Sequence, residues 1–282
     1  MKKLTASLFA LVLIASTVFM ACEQGEKTIV LRYKYTQGLK LVYHQDMQRN
    51  ARVSVGDSVI EKSSNKFTVS VTQIVEEVRP DSTAVIRETD KWSYTRPSKA
   101  DSTVLDTVSS VRTMLVTVRP DGDILDVQFV DDMNETNRTY IKNFMEQGMP
   151  VFPSGEISPG FSWTQTAKVI MPDQTMEAKS TYKLTALVRE AGYDCALIEV
   201  DGNLVIPIAP SPKDTIKTSG VERIRTTGKM YFAYKEGMVV LQRERWVIEG
   251  DHKVERVSGT KASKLQVESD VDYALVERTV EQ

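Results

Sequence analysis

The chain has 282 residues, of which 36 are Lys or Arg and 38 are Asp or Glu, so its formal net charge is −2. Apolar residues make up 41% and charged residues 26%, which is typical of a globular protein rather than of a disordered or coiled-coil chain. A near-neutral chain lacks the basic surface of a dedicated nucleic-acid binder, so we expect no nucleic-acid partner. Two His and two Cys residues exclude a zinc-finger array and a disulfide-rich scaffold.

The first residues have the organisation of a secretory signal. Lys2 and Lys3 precede an uncharged, mostly apolar run that ends in Ala21, directly before Cys22. This segment resembles a bacterial lipoprotein signal, in which the chain is cleaved before the Cys and the thiol is diacylated. The resemblance implies a signal peptide over 1–21 and lipidation at Cys22. Because the apolar run has about the minimum length of a membrane span, an uncleaved anchor is the alternative.

The residue after the Cys bears on which membrane is expected. In bacterial lipoproteins an Asp at that position often signals retention in the inner membrane, and this chain has Glu23 there. The resemblance therefore implies a lipid-anchored protein of the cell envelope, held at the outer membrane on its periplasmic or surface face. Residues 22–27 would form the lipidated tether, and the membrane is the partner expected through Cys22.

The rest of the chain is predicted to consist mainly of strands. Alternating apolar and polar residues indicate half-buried strands, and Gly- or Asp-containing pairs between them indicate turns. The predicted strands lie at 28–36, 39–55, 67–74, 84–86, 111–118, 124–130, 161–163, 182–188, 195–200, 230–234, 239–248 and 253–269.

One segment in the middle of the chain has helical periodicity. We predict a helix over 131–148, capped at its start by Asp131 or Asp132 and ended by Gly148 and Pro150. Its apolar face would consist of Met133, Tyr140, Ile141, Phe144 and Met145. We expect this face to pack on the sheet, either as a lid over a concave surface or as the joint between two halves.

The two halves of the chain resemble each other at an offset of about 115 residues. The corresponding positions are Phe67 and Tyr182, Ala84 and Ala196, Met114 and Met230, and Gly122 and Gly237. This similarity indicates a possible repeat. We therefore divide the chain into a first β-unit at 28–130, a helix and linker at 131–150, a second β-unit at 151–269 and a polar tail at 270–282, which we expect to fray.

The predicted fold class is all-β, mainly an antiparallel meander, with one amphipathic helix near the middle. A sheet of about ten strands curls or splits, so a curved half-barrel and two packed β-units both remain open. The arrangement resembles the lipoprotein-carrier class of envelope proteins, in which a curved sheet cups a helix and holds lipid-like cargo. It also resembles all-β domains of bacterial surface lipoproteins. No motif carries either resemblance, so neither assigns a site residue.

The sequence contains no pattern of a catalytic, cofactor or metal site. His44 and His252 lie far apart and lack the spacing of zinc ligands. Cys195 lies in an apolar run and is predicted to be a core thiol rather than a nucleophile. Asp121 and Asp123 are predicted to form a hairpin turn, since the other ligands of a calcium loop are missing. We therefore expect no cofactor and predict that the protein is not an enzyme.

The aromatic residues do not change this prediction. A glycosidase would need exposed aromatic side chains beside its paired carboxylates, whereas the three Trp residues lie in runs typical of strands and are expected in the core. They are Trp92, Trp163 and Trp246.

Two functions remain. The first is a lipid-anchored envelope protein that binds an apolar or lipid-like molecule in a concave face. The alternative is a structural or protein-interaction lipoprotein of the outer membrane with no small-molecule ligand, which would need an exposed apolar patch or an unpaired strand edge. The sequence does not separate them, because strand faces cannot be assigned to a pocket or a core without the curvature of the sheet.

Overall fold

In the computed structural model, the residues described are 27–97, 105–171, 174–210, 217–256 and 259–280. The predictions for the signal segment, and for Cys22, lie outside these residues. The described strands are β1 (Ile29–Val30), β2 (Leu39–Val55), β3 (Ser58–Val78), β4 (Ala84–Pro97), β5 (Leu105–Val118), β6 (Ile124–Phe129), β7 (Glu156–Ile157), β8 (Ser162–Met171), β9 (Gln174–Glu190), β10 (Tyr193–Ile208), β11 (Lys217–Ala233), β12 (Met238–Arg256) and β13 (Gly259–Val280). The helix α1 spans Glu135–Gly148.

Eleven strands form one antiparallel sheet in the order β6-β5-β4-β3-β2-β13-β12-β11-β10-β9-β8, and β1 pairs with β7 in a separate two-stranded sheet. The predicted all-β class, an antiparallel meander with a single helix in the described chain, is confirmed. The alternative of two packed β-units is wrong, because β2 of the first half pairs with β13 along its whole length. The last strand returns to the first long one and joins both halves into one sheet.

The predicted polar tail is also wrong over 270–280, because these residues form the end of β13 and pair with the start of β2. Val271 is buried, and Tyr273 and Leu275 pack against the core. Asp272, between Val271 and Tyr273, is exposed. The boundary set at 269 therefore falls inside a strand, whose alternation is interrupted by an irregularity between Leu275 and Glu277.

One face of the sheet, which we call the inner face, carries the core. Leu39, Leu41 and Tyr43 of β2 are buried on it, and the register of the ladder places the corresponding residues of the other strands on the same side. Helix α1 contacts both edge strands, β6 and β8. Since one helix reaches both edges, the sheet is strongly curled, although it does not close on itself.

The helix fills the space between the two edges. Ile141 and Met145 pack against a small cluster on β5 and β6, and the Asn143 Nδ2 atom donates a hydrogen bond to the Ile170 carbonyl of β8 at 2.5 Å. Asn143 is buried, so this bond satisfies an amide that would otherwise be costly to remove from water. The side chains of Tyr140 and Phe144 lie outside the described part of the structure.

The start of the helix differs from the prediction. Asn134 is the N-cap, and its side-chain oxygen accepts a hydrogen bond from the Asn137 backbone N–H at 2.9 Å. The Asp131 carboxylate instead accepts from the Thr113 backbone N–H at 2.6 Å. Asp131 therefore binds the backbone of β5, and the helix begins only after the chain has left the sheet.

One end of the curled sheet is closed by two extended segments that cross the inner face. Leu31 and Tyr33 are buried there, and the Tyr33 N–H donates to the Pro120 carbonyl at 2.7 Å. The Phe152 N–H donates to the Asp121 carbonyl at 2.7 Å. These bonds tie both segments to the β5–β6 turn. We call this the closed end, and the opposite end, beyond the β2–β3 turn, the open end.

Glycines on the inner face permit the tight curl. Gly202, Gly228 and Gly250 lie on three neighbouring strands, and the register places each on this face. A Cβ at Gly228 would lie 2.6 Å from the Arg243 carbonyl oxygen, which is closer than real side chains approach a backbone atom. Glycine within a strand marks places where the backbone bends or is approached closely.

Candidate functional site

Four polar residues converge on the inner face of β3, β4 and β5. Glu88 and Asp90 are two residues apart on β4, so both point inward, and the register places Gln73 beside Glu88 and Arg112 beside Asp90. Tyr43 of β2 adjoins them. We call these residues, together with Tyr273 of β13, the acidic site.

The Asp90 carboxylate is the most buried charged group of the acidic site, with its side chain 4% exposed. Its Oδ2 atom accepts hydrogen bonds from Nε and Nη2 of Arg112, the former at 3.1 Å. Its Oδ1 atom is buried and accepts no hydrogen bond from the described residues. The Arg112 guanidinium also lies 5.7 Å from the centre of the Trp92 ring, close enough for a cation–π contact.

Glu88 has an unusual proton affinity for a carboxyl group. Burial, followed by the neighbouring charge of Asp90, raises its pKa to about 7. A hydrogen bond from Gln73 Nε2 at 2.7 Å and the charge of Arg112 act in the opposite direction. Near neutral pH this carboxyl group is therefore present in both protonation states.

Two tyrosines form the wall of the acidic site toward the centre of the sheet. The rings of Tyr43 and Tyr273 stack with centroids 4.5 Å apart. Burial raises the pKa of both hydroxyl groups, and the charge of Glu88 raises it further. Both phenols therefore stay neutral and present aromatic faces and hydroxyl groups beside the carboxylates.

A third inward carboxyl group lies across the sheet on β12. Glu244 accepts hydrogen bonds from Gln242 Nε2 at 2.6 Å and from Trp246 Nε1 at 2.7 Å. Burial raises its pKa. Both oxygens of Glu244 thus have donors within the chain, unlike those of Asp90.

Toward the open end the inner face becomes apolar. One row of directly paired residues runs across five strands, and we call it the apolar ladder: Leu204, Ile224, Ile248, Val267 and Ala51. Val267 is buried and the other four are half-buried, although no described helix or strand lies over them. Their burial comes from the curl of the sheet itself.

A second group of apolar residues continues this surface on the first half of the sheet. Met47, Phe67, Tyr94 and Val108 are paired in one row on the inner face. The rings of Phe67 and Tyr94 lie 5.5 Å apart, and all four side chains are half-buried. The acidic site is therefore bordered by apolar surface toward the open end and by the core toward the closed end.

Among the described residues, two of the cavities that border the sheet bear on this site. A small one of about 40 Å³ lies beneath the crossing segment at the closed end, lined in part by Tyr35, Tyr43 and Gln73, and has room for a water molecule. A shallow groove of about 470 Å³ lies on the outer face and is lined mostly by polar side chains such as Arg52 and Lys62. Most of the apolar ladder lines neither cavity.

Most of the residues that the sequence offered as candidate site residues have structural roles. Cys195 is a free, fully buried thiol, as predicted, and burial raises its pKa to about 11, which disfavours the nucleophilic thiolate. Asp121 and Asp123 form the predicted turn, in which the Asp121 side chain accepts from the Asp123 N–H at 3.1 Å. His44 is exposed on the outer face, whereas His252 lies on the inner face 3.2 Å from a Glu222 oxygen.

The three tryptophans differ in their surroundings. Trp92 and Trp163 are half-buried and pack against core clusters, which agrees with the prediction. Trp246 is half-buried on the inner face near the apolar ladder, outside the buried clusters. Within the described ranges no three His, Cys, Asp or Glu side chains form a group that could hold a metal ion.

The acidic site was not recognised from the sequence. The sequence feature that could have revealed it is the spacing of Glu88 and Asp90 in β4. Both lie an even number of residues from the apolar Ile86 and Trp92, so they share the inward face with them. A charged residue at an inward position of a strand is unusual. The signal becomes clear only once the inward face of β4 is known.

No protein-family model matches the chain, and no curated protein is detectably similar to it in sequence. Among the described residues, no helix is long and apolar enough to cross a membrane.

Proposed function

We propose that this protein is a lipid-anchored protein of the cell envelope that binds an apolar or lipid-like molecule on the inner face of its sheet. The observation that carries the proposal is the apolar ladder, a continuous row of apolar side chains on a concave surface that no described element covers. Soluble proteins rarely leave such a surface without an occupant. Apolar surface with a few placed polar groups is also the usual composition of a small-molecule site.

The position of Lys27, the first described residue, supports this arrangement. The Lys27 Nζ atom lies 3.2 Å from the Tyr234 hydroxyl, beside the β11–β12 turn, so the chain enters the fold at the closed end. A protein anchored through Cys22 would then have its closed end toward the membrane and its open end away from it. The apolar face would thus be accessible from the aqueous side.

A neutral fluorescent probe, N-phenyl-1-naphthylamine, tests ligand binding. Its fluorescence is expected to rise on addition of the purified protein. Leu204→Gln replaces one member of the apolar ladder and is expected to weaken binding about tenfold, because burying a Leu side chain contributes about 2 kcal/mol. Val205→Gln is the matched control, since Val205 is the next residue of β10 but is exposed on the outer face.

The two variants distinguish binding at the inner face from binding elsewhere on the protein. Equal binding by wild type, Leu204→Gln and Val205→Gln, with all three equally stable to heat, would place the probe away from the apolar ladder. Absence of any fluorescence change with the wild-type protein would contradict a preformed apolar site and favour the interaction protein.

One observation favours that alternative function. Strand β6 pairs with β5 only from Met114 onward, so residues 105–112 form a strand edge without a partner strand among the described residues. Such an edge can accept an added strand from another protein.

The anchor is tested by Cys22→Ala. We expect the variant to move from the membrane fraction to the soluble envelope fraction, because two acyl chains hold a protein firmly at a bilayer. An unchanged membrane pool would contradict lipidation and favour an uncleaved anchor.

A further inference from the structure

The acidic site contains an acceptor that the protein does not use. Asp90 is buried, and Arg112 reaches only its Oδ2 atom, so Oδ1 is left without a donor among the described residues. A buried carboxylate oxygen is costly to leave unpaired, and such atoms are rare in native structures. A donor supplied from outside the chain would satisfy it.

The fold itself does not require charges at this place. In the sequence similarity between the two halves Met114 is matched with Met230, and these residues pair with Glu88 and Ile198 respectively. The next inward pair is Asp90 with Arg112 in the first half, and Val200 with Gly228 in the second. The Val200–Gly228 pair of the second half thus carries no charge where the first half has the Asp90–Arg112 pair, although Glu244 of β12 lies beside Gly228. The charges therefore point to a function rather than to a requirement of folding.

The charge balance favours a cation over an anion. Arg112 supplies one positive charge, while Asp90 and Glu88 supply up to two negative charges. The stacked rings of Tyr43 and Tyr273 adjoin these carboxylates, and aromatic faces attract cations. Trp92 is already in contact with the Arg112 guanidinium, and Tyr43 and Tyr273 are the aromatic members of the acidic site itself.

We infer that the acidic site receives the cationic, hydrogen-bond-donating head of an amphipathic ligand, such as a primary ammonium group, while its apolar body lies along the inner face toward the apolar ladder. This inference rests on the proposed function. The ammonium N–H groups would donate to Oδ1 of Asp90 and to the Glu88 carboxylate, forming charge-assisted hydrogen bonds.

Competition against bound N-phenyl-1-naphthylamine tests the inference with three amphiphiles of equal chain length, each used below the concentration at which it forms micelles. Dodecylamine, which is protonated at neutral pH, is expected to displace the probe about tenfold better than dodecyl sulfate, because charge-assisted hydrogen bonds are the stronger kind. Dodecyltrimethylammonium should fall between them, since it carries the charge but no N–H donor.

Three variants test whether the preference for dodecylamine over dodecyl sulfate arises at the acidic site. Asp90→Asn and Glu88→Gln are each expected to reduce the advantage of dodecylamine to about threefold or less, since each removes one of the two charged acceptors. Asp201→Asn is the control, because Asp201 also pairs with an arginine, Arg225, but lies exposed on the outer face. Thermal unfolding of each variant shows whether it is folded. If Asp90→Asn does not fold, Glu88→Gln alone still tests the inference.

The outcomes separate this inference from the proposed function. If the wild-type protein does not bind the probe, the proposed function fails. If the probe binds but dodecylamine and dodecyl sulfate displace it equally, apolar binding stands and the cationic head group is wrong. A preference for dodecylamine that persists in both Asp90→Asn and Glu88→Gln would also overturn the inference, because the selectivity would then arise elsewhere.

Discussion

Arg112 lies directly opposite Asp90 across the β4–β5 pair, and it bonds one of the two carboxylate oxygens while the other is buried without a donor among the described residues. The Asp90 side chain is 4% exposed and that of Arg112 is 19% exposed. A buried ion pair of this kind contributes little by being present, but breaking it is costly because one charge remains buried alone. This asymmetry gives a stability test that is independent of any ligand.

Arg112→Met is expected to lower the free energy of unfolding by about 3 kcal/mol, because the Asp90 charge is then uncompensated. The double variant Asp90→Leu, Arg112→Met should recover most of that loss. Urea unfolding measures both values. Arg225→Met is the control, since the exposed Arg225–Asp201 pair, with its atoms 2.8 Å apart, should contribute less than about 1 kcal/mol. Equal losses in both single variants would show that the Asp90–Arg112 pair is solvated.

Glu88 makes stability depend on pH. Its pKa is raised from 4.5 to about 7 in the folded protein, so between these values the folded state holds more protons than the unfolded state. The free energy of unfolding should therefore fall as the pH rises through this window, by about 1–3 kcal/mol, and the loss is complete above about pH 8. Glu88→Gln should abolish most of this slope. Asp90 and Glu244, whose pKa values burial also raises, act in the same direction.

Urea unfolding of wild type and Glu88→Gln between about pH 5 and about pH 8 measures the effect. A stability that rises with pH over this range in the wild type would contradict the assignment. An identical slope in Glu88→Gln would mean that another group titrates.

Gly228→Ala should be strongly destabilising, because the added Cβ would lie 2.6 Å from the backbone oxygen of Arg243, which cannot move without bending the sheet. Gly202→Ala on the neighbouring strand should cost less, since the nearest atom, Oγ of Ser180 at 3.1 Å, belongs to a side chain that can rotate. We expect a difference of about 1–3 kcal/mol between the two variants, measured by thermal or urea unfolding. Equal effects would argue against tight curvature at Gly228.

Cys195 should react with a thiol reagent only after unfolding, because its thiol is buried and its pKa is raised to about 11. The experiment uses Cys22→Ser, so that Cys195 is the only thiol. A cysteine introduced at the exposed position Val205, in a chain with Cys195→Ala, should react at once under the same conditions. Rapid labelling of the folded Cys22→Ser protein would reopen the nucleophile hypothesis.

The elements with a strong local pattern were predictable. The turn at Asp121 and Asp123 follows from side-chain hydrogen bonding to the backbone two residues on, which is a local interaction. The buried position of Cys195 follows from the apolar residues on either side of it. The end of helix α1 agrees with the prediction, but the predicted start is too early, because Asp131 bonds a distant strand edge that no local pattern reveals.

The acidic site was not predictable in the same way. Its members come from five strands, and Tyr273 lies more than two hundred residues from Tyr43 in the chain, although their rings stack. Residues 270–280 were predicted to form a tail, and only their pairing with β2 makes them part of a central strand.

The all-β class, the approximate strands and the helix were predictable from the amino-acid order alone, since alternation and turn residues act over a few neighbours. The sequence also carries the resemblance to a lipoprotein signal at Cys22. The tertiary structure decided that both halves belong to one curled sheet and that Glu88, Asp90 and Arg112 lie together on its inner face. The physical reason is that sheet order and curvature depend on pairing between strands far apart in the chain, and the side on which a charge is buried follows from that pairing.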